Sequence, residues 1–376
     1  MHVPLSSLRL EGDHLDLDFG VFDWLDAQPG VTLRDTYDAR LRLVREAERL
    51  GFARYHLAEH HATPLGLAPS PAVFLAAAAR ETSTIRLAAT TFITPLYDPL
   101  RLVEEIAMLD QLSGGRLEIG VGRGSSPIEA GMFGLDAEAA KARFLRDWPA
   151  MLDALRSGRF VRPREGTGVA DGGSTAASPP VDLFVRPLQT PHPPLWYPTS
   201  NAESIPRLVT EGYHVLFGFG FSSPPLEVMR EHATVFLRES AEVDASVAAA
   251  GPRRFGMVRH VYVGRDDAEA VETAREALAV HYDSFTHLWR AAGSERFTGP
   301  LDDLEDLVDR HLLFVGSAPT VAEQVTHAVR ESGVNYVAGA FAWGSLSEQQ
   351  SARSMQRFAR EVMPIVHAGL EHPKVD

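Results

Sequence analysis

Along the chain, short runs of alternating or continuous apolar residues give way to longer stretches with apolar positions three and four apart, and the exchange repeats. Residues 15–22 alternate as a first strand. Residues 33–50 place Tyr37, Leu41, Val44, Ala47 and Leu50 at helical spacing before Gly51 ends the helix. The unit recurs as strand 53–58 with helix 70–80, opened by Pro71, and as strand 85–93 with helix 101–112, stopped by Ser113-Gly114-Gly115. Strand 117–121 with helix 141–157 is the fourth such unit. Strands that alternate with helices in this way pair in parallel.

From 160 to 194 the pattern breaks at Gly172-Gly173-Ser174, Pro179-Pro180, Pro191, Pro193 and Pro194, which predicts a long insertion carrying one hairpin. Alternation then resumes with strand 195–197 and a helix near 204–211, strand 213–217 and helix 226–240, and strand 255–263 and helix 268–281. A second irregular stretch, 283–314, precedes helix 320–331, strand 336–340 and helix 347–363. The total of about eight strand–helix units is the number that closes a (β/α)8 TIM barrel, an α/β fold with insertions here after strand 4 and after the seventh strand–helix unit. No Gly- or Pro-rich linker divides the units, so residues 1–376 are expected to form one domain. The competing architecture, a doubly wound sheet, lacks the G-x-G-x-x-G that should follow its first strand.

Composition narrows the functional classes. With 36 Lys+Arg against 50 Asp+Glu the formal charge is −14, which disfavours a nucleic-acid partner, since a phosphate backbone asks for clustered cations. The chain has no cysteine, so disulfides, thiolate nucleophiles and Cys-ligated metals are excluded. The longest apolar run, 72–79, falls far short of the roughly 20 residues that span a bilayer, and residues 1–10 carry no basic segment followed by an apolar stretch. A cytoplasmic protein without a membrane partner is expected.

In a barrel the reactive groups gather where strands end, and four positions there stand out. Glu59-His60-His61 follows strand 2; its imidazoles suit a general base or a hydrogen-bond donor, or a structural bond at a strand end. A metal is disfavoured because alternation separates His60 from His61 and no second His/Asp cluster has ligand spacing. Thr90-Thr91-Phe92, at the end of strand 3, reads on its own as strand filling. Gly120-Val121-Gly122-Arg123-Gly124-Ser125, after strand 4, offers backbone that a flat or anionic ligand could approach and an arginine fork suited to phosphate; a tight turn with a solvated arginine is the alternative. Thr199-Ser200-Asn201-Ala202-Glu203-Ser204, before a helix, suits an anion or simple capping.

Taken in order with their neighbours, these sites resemble the bacterial luciferase-like monooxygenase family of flavin-dependent oxidoreductases. Further landmarks are Ile85-Arg86-Leu87 with Pro95 and Pro99, residues 109–116, Phe133-Gly134, Pro193-Pro194-Leu195-Trp196, Tyr282-Asp283-Ser284, Val315-Gly316-Ser317, Ser354-Met355 and Val362-Met363-Pro364. The resemblance implies a TIM barrel, usually a homodimer, that holds reduced FMN at the C-terminal strand ends. Reduced flavin comes from a separate flavin reductase, and O2 forms a flavin peroxide that oxidises a small organic substrate.

It further implies His60 as catalytic base or proton shuttle and Glu59 as a flavin-adjacent carboxylate. Thr90-Thr91 falls where relatives carry a non-proline cis peptide. Arg123 matches the phosphate-binding arginine, with Ser200, Asn201 and Ser204 as partners, Ser125 as a further cofactor-binding residue and Arg143 as a second phosphate-side arginine. The stretch 283–314 corresponds to a mobile lid. Phe22, Trp24, Phe217, Phe219, Phe221, Phe285, Trp289 and Trp343 are candidates for the face opposite the flavin, or for core and dimer packing. Gly122 and Ser200 stand where luciferase itself has a cysteine and a glutamate, which weakens the case for light emission. Two alternatives stay open: a deazaflavin-dependent hydride-transfer enzyme, whose cofactor tail would ask for more basic residues, and a non-catalytic flavin-binding protein, against which His60 argues.

Overall fold

The computed structural model describes residues 16–163, 179–243, 253–296, 301 and 303–371. In chain order the elements are β1 (Asp18–Asp23), α1 (Leu33–Arg49), β2 (Arg54–Leu57), α2 (Pro71–Glu81), β3 (Arg86–Ile93), α3 (Pro99–Ser113), β4 (Leu117–Gly122), α4 (Pro127–Met132) and α5 (Ala137–Ser157). They continue with β5 (Arg159–Phe160), β6 (Val181–Asp182), β7 (Leu195–Thr199), α6 (Ile205–Thr210), β8 (His214–Phe219), α7 (Leu226–Glu242), β9 (Phe255–Val263) and α8 (Asp267–Ala291). Last come α9 (Leu304–Asp309), β10 (Leu313–Gly316), α10 (Ala318–Ser332), β11 (Tyr336–Ala340), α11 (Glu348–Arg357) and α12 (Met363–Glu371).

Strands β1, β2, β3, β4, β7, β8, β9 and β11 pair in that order, all parallel, and β11 returns to β1. This is the closed (β/α)8 barrel. Its outward-facing residues, such as Val21, Leu87, Ile119, Val215 and Val337, join the helix faces in one apolar layer. Inside, Tyr336 fills the centre because both flanking strands carry glycine: a methyl group on Gly20 or Gly256 would collide with the Tyr336 side chain. Below it lies a charged layer in which Arg54 pairs with Glu118 and Asp18, both at 3.0 Å, while Arg86 and the Trp196 indole N–H also reach Glu118. Burial alone would raise the Glu118 carboxyl, but Arg54 and Arg86 hold it down to about 2.

The 160–194 insertion contains the antiparallel β5–β6 pair; Gly172-Gly173-Ser174 lie outside the described residues. The second stretch differs from the sequence expectation. Helix α8 does not end at 281 but runs to Ala291, since no glycine or proline intervenes before Gly293, which takes φ +63°. The expected irregularity to 314 also hides α9 and β10, the latter a four-residue apolar run too short to alternate, paired with the C-terminal half of β9. Residues 297–300 and 302 of that stretch are not among those described. Among the described residues no helix is long and apolar enough to cross a membrane.

Candidate active site

The loop after β2 carries Glu59-His60-His61, and its geometry depends on α4. Ser126 caps α4 by accepting the Glu129 amide at 3.2 Å, which aims the Glu129 side chain back at the loop. Its carboxylate lies 3.2 Å from His60 Nδ1 and accepts the His61 amide at 2.6 Å. Burial raises the Glu129 carboxyl, but the hydrogen bonds and charge of His60 and His61 outweigh it, so Glu129 stays below its ordinary range. With Nδ1 bound to the carboxylate, His60 keeps Nε2 without a partner among the described residues. Gly66 packs behind the ring: a methyl group there would stand 2.7 Å from His60 Cβ.

Glu59 is turned away and buried. One oxygen meets His61 Nε2 at 2.9 Å; the other accepts the Ile93 amide and the Tyr97 hydroxyl, both at 2.9 Å. Burial pushes its carboxyl up despite these donors. Glu59 thus braces the end of β3 against the histidine loop.

Next to that loop, the Thr90–Thr91 peptide is cis. Thr90 is buried, and its hydroxyl meets His56 Nδ1 at 2.8 Å; His56 Nε2 in turn meets the Tyr336 hydroxyl at 2.7 Å. Burial drives His56 down to about 3, so it is neutral in this chain of contacts. The β4 glycines both face β3. Gly120 has no room for a side chain because Ala89 O would lie 2.4 Å from its Cβ, so its freedom is used against β3 and not toward a ligand. Gly122 packs against the half-exposed Thr91, whose Oγ1 would lie 3.2 Å from a Cβ there, so the missing side chain lets β4 close on the cis peptide. Arg123 and Ser125 follow, exposed, and Arg123 has no hydrogen-bond or ion-pair partner among the described residues.

The loop after β7 is a capped turn. Asn201 accepts the Glu203 amide at 3.1 Å, Ser204 Oγ donates to Asn201 O at 2.6 Å, and Ser200 is exposed. Arg143 points to the turn after β3, donating to Pro95 O at 3.0 Å, and with Tyr97, Asp98, Arg146, Asp147 and Arg162 it lines a cavity of about 330 Å³.

Of the aromatic candidates, Phe22, Trp24 and Phe219 face the barrel interior and Phe221 stands above them. Phe217 does not. Two residues after outward-facing Val215, it packs outward onto Phe255 and His232, and it is Phe219 that the register shift after Leu216, with Gly218 at φ +94°, brings to the interior. Helix α8 crosses the mouth, touching Trp24 through His281, Phe221 through Phe285 and the histidine loop through a 3.4 Å bond from Thr63 Oγ1 to Ser284 O. Sequence reading missed Glu129, although Ser126-x-x-Glu129 is a capping pattern, and it missed Asp26, His260 and His281, which no local signal connects. Among the described residues no group of three or more acidic or histidine side chains is placed to hold a metal.

Residues 17–336 match the luciferase-like monooxygenase family, and the chain belongs to it, which makes it an oxidoreductase of the monooxygenase class. An uncharacterised protein of Sinorhizobium fredii, y4wF, is 33% identical over 92% of this chain and 96% of its own length. The oxygenase component of the flavin-dependent trigonelline monooxygenase of Acinetobacter baylyi is 26% identical over 89% of this chain and 91% of its own. Among solved structures, the monooxygenase RslO1 of Streptomyces bottropensis superposes with a TM-score of 0.76 at 24% identity, covering 93% of this chain and 99% of its own. The oxygenating constituent of a Pseudomonas putida 3,6-diketocamphane monooxygenase, in complex with FMN, gives 0.72 at 20% over 93% and 98%. A coenzyme F420-dependent tetrahydromethanopterin reductase of Methanopyrus kandleri gives 0.64 at 17% over 93% and 99%.

Proposed function

We propose that this protein is the oxygenase component of a two-component monooxygenase that takes reduced FMN from a separate reductase and uses O2 to oxidise a small, planar or hydrophobic organic substrate. The observation that carries the proposal is the pairing of His60 with Glu129, which leaves one imidazole nitrogen without a partner among the described residues at the strand end next to the Thr90–Thr91 cis peptide. The residues present fit a flavin. Arg123, exposed and without a partner among the described residues, would hold the phosphate with Ser125, Ser200, Asn201 and Ser204, Arg143 acting from the β3 side. Reduced flavin supplies the electrons that activate O2. His60 holds or moves a proton at Nε2, Glu129 fixes its tautomer, Glu59 keeps the loop and the β3 end in register, and α8, bonded to the histidine loop through Ser284, excludes water from the mouth.

A homodimer through α2 and α3 accompanies this function. Those packed helices expose Val73 (72%), Met108 (51%) and Leu112 (40%), an apolar face that a second copy would cover in the cytoplasm. Hydride transfer with deazaflavin is the second reading, supported by the likeness to the F420-dependent fold and opposed by the −14 charge. Anaerobic titration of the purified protein with reduced FMN and, separately, reduced deazaflavin, followed by admission of oxygen, tests both. Tight FMN binding and oxygen consumption altered at least tenfold by His60→Ala support the oxygenase. Binding of deazaflavin alone, without oxygen consumption, replaces it with hydride transfer.

A further inference from the structure

Away from His60, a second line of titratable groups is buried beneath α8. Asp26 Oδ2 lies 3.1 Å from His281 Nδ1 and accepts the Gly344 amide at 2.9 Å, and His281 Nε2 meets His260 Nε2 at 3.1 Å. None of the three side chains is more than 2% exposed. The carboxylate fixes the His281 proton on Nδ1, so His281 Nε2 is bare and His260 Nε2 carries the hydrogen between the rings. His260 Nδ1 is then a bare acceptor. It is buried and has no partner among the described residues.

The ring that carries it is held rigidly at the top of the barrel interior. Trp24 stacks on it at 4.9 Å and 3°, Phe221 also stacks on it at 5.8 Å and 14°, and Trp343 meets it edge-on at 5.1 Å. A methyl group on Gly220 would meet only Cε1 and Nδ1 of His260, at 3.5 and 3.7 Å. A methyl-sized space therefore adjoins the acceptor at the Gly220–Ser222 turn, and two of the rings around it, Trp24 and Phe221, are only half-buried.

The surrounding charge explains why three residues stand in line. Arg40 alone faces two carboxylates, Asp23 at 3.2 Å and Asp26 at 3.4 Å; Tyr55 donates to Asp23, and Arg259 is buried beside His260 on β9. Burial disfavours a charged His260, as Arg259 and His281 do. His281, against Asp26, sits where one carboxylate lacks a balancing cation.

We propose that His260 is a second substrate-contacting base of this site, accepting at Nδ1 a hydrogen bond or proton from an O–H or N–H on a planar, largely apolar substrate, with His281 and Asp26 as positioning residues; this assignment rests on the function proposed above. When a proton is taken, the substrate O–H or N–H bond breaks and Nδ1–H forms. The Nε2 proton of His260 passes to His281 Nε2, and the positive charge settles on His281 beside Asp26. No electrons are exchanged.

Isothermal titration of the FMN-loaded protein with 2-naphthol and with 2-methoxynaphthalene tests the assignment, since only the first has the donor. Wild type is expected to prefer the naphthol at least tenfold, His260→Phe to bring the two within twofold, Asp26→Asn to lose most of the preference, and His60→Ala to keep it. Nitrogen NMR of [15N]histidine-labelled protein reads the tautomer directly, and a bare His260 Nδ1 is expected. Equal affinities in wild type, an unchanged preference in His260→Phe, or a proton on Nδ1 overturns the assignment. If FMN fails to bind while naphthol discrimination persists, the flavin function falls and the His260 acceptor stands.

Discussion

Glu129 Oε1 serves two neighbours at once, 3.2 Å from His60 Nδ1 and 2.6 Å from the His61 amide it accepts. One carboxylate thereby sets both the tautomer of the candidate base and the path of the loop that carries it. Glu129→Gln keeps the size but not the charge. It is expected to slow the His60-dependent step by about tenfold or more, toward the level of His60→Ala, with the double variant no slower than the worse single one. Stopped-flow oxidation of bound reduced FMN checks this, and additive losses would show that the two residues act separately.

Gly66 is expected to tolerate nothing larger. The Cβ of Gly66→Ala would stand 2.7 Å from His60 Cβ, so the imidazole must move while the barrel does not. Steady-state activity should fall with an unchanged melting temperature. A loss of melting temperature with activity retained would place the glycine's role in the loop and not behind the base.

Arg123 is exposed and has no partner among the described residues, so its removal leaves the fold intact. A charge-assisted bond to phosphate is worth roughly 1.5–3 kcal/mol, which makes Arg123→Gln bind FMN about 10- to 100-fold more weakly. Riboflavin has no phosphate and is the control. Equal weakening for both ligands would place Arg123 elsewhere than at the phosphate.

Buried His56 and His214 are both driven down to about 3 by desolvation. The unfolded chain takes up protons near pH 6.5 that the folded chain refuses, so their contribution is complete above that value and is lost as pH falls from 6.5 toward 3. The slope is up to about 1.4 kcal/mol per pH unit for each histidine. Urea melts at pH 7, 6 and 5 should show the decline, and His56→Gln should make it shallower by about one proton.

Val73→Glu and Met108→Glu place charge on the exposed α2–α3 face. Sedimentation velocity is expected to show a wild-type dimer and monomeric variants. A wild-type monomer would remove the second copy from that face.

Much of the barrel was legible because apolar periodicity reports burial, and the helix that opens at Pro71 and the one that stops at Gly114 lie within two residues of their structural bounds. The periodicity misled where a strand changes face, as at the β8 bulge, which puts Phe217 and Phe219 on opposite sides although they stand two residues apart. It also misled where a polar-looking run, 281–291, continued a helix for lack of a breaker. His60 and Arg123 were visible as residues of the right chemistry at strand ends. Their partners were less so. Glu129 looked like a helix cap, and the Asp26–His281 contact spans 255 positions, so only the closed barrel brings the two together.

The hydroxyl that braces His56, and through it Thr90, belongs to Tyr336 at the start of β11, the last strand to be synthesised. A nascent chain emerging from the ribosome therefore carries His60, Thr91, Arg123 and Ser200 well before Tyr336 exists to complete the chain of contacts beneath them. Any fragment cut ahead of residue 336 would possess the residues of the site without its foundation. Ring closure of the barrel and completion of the site are one event.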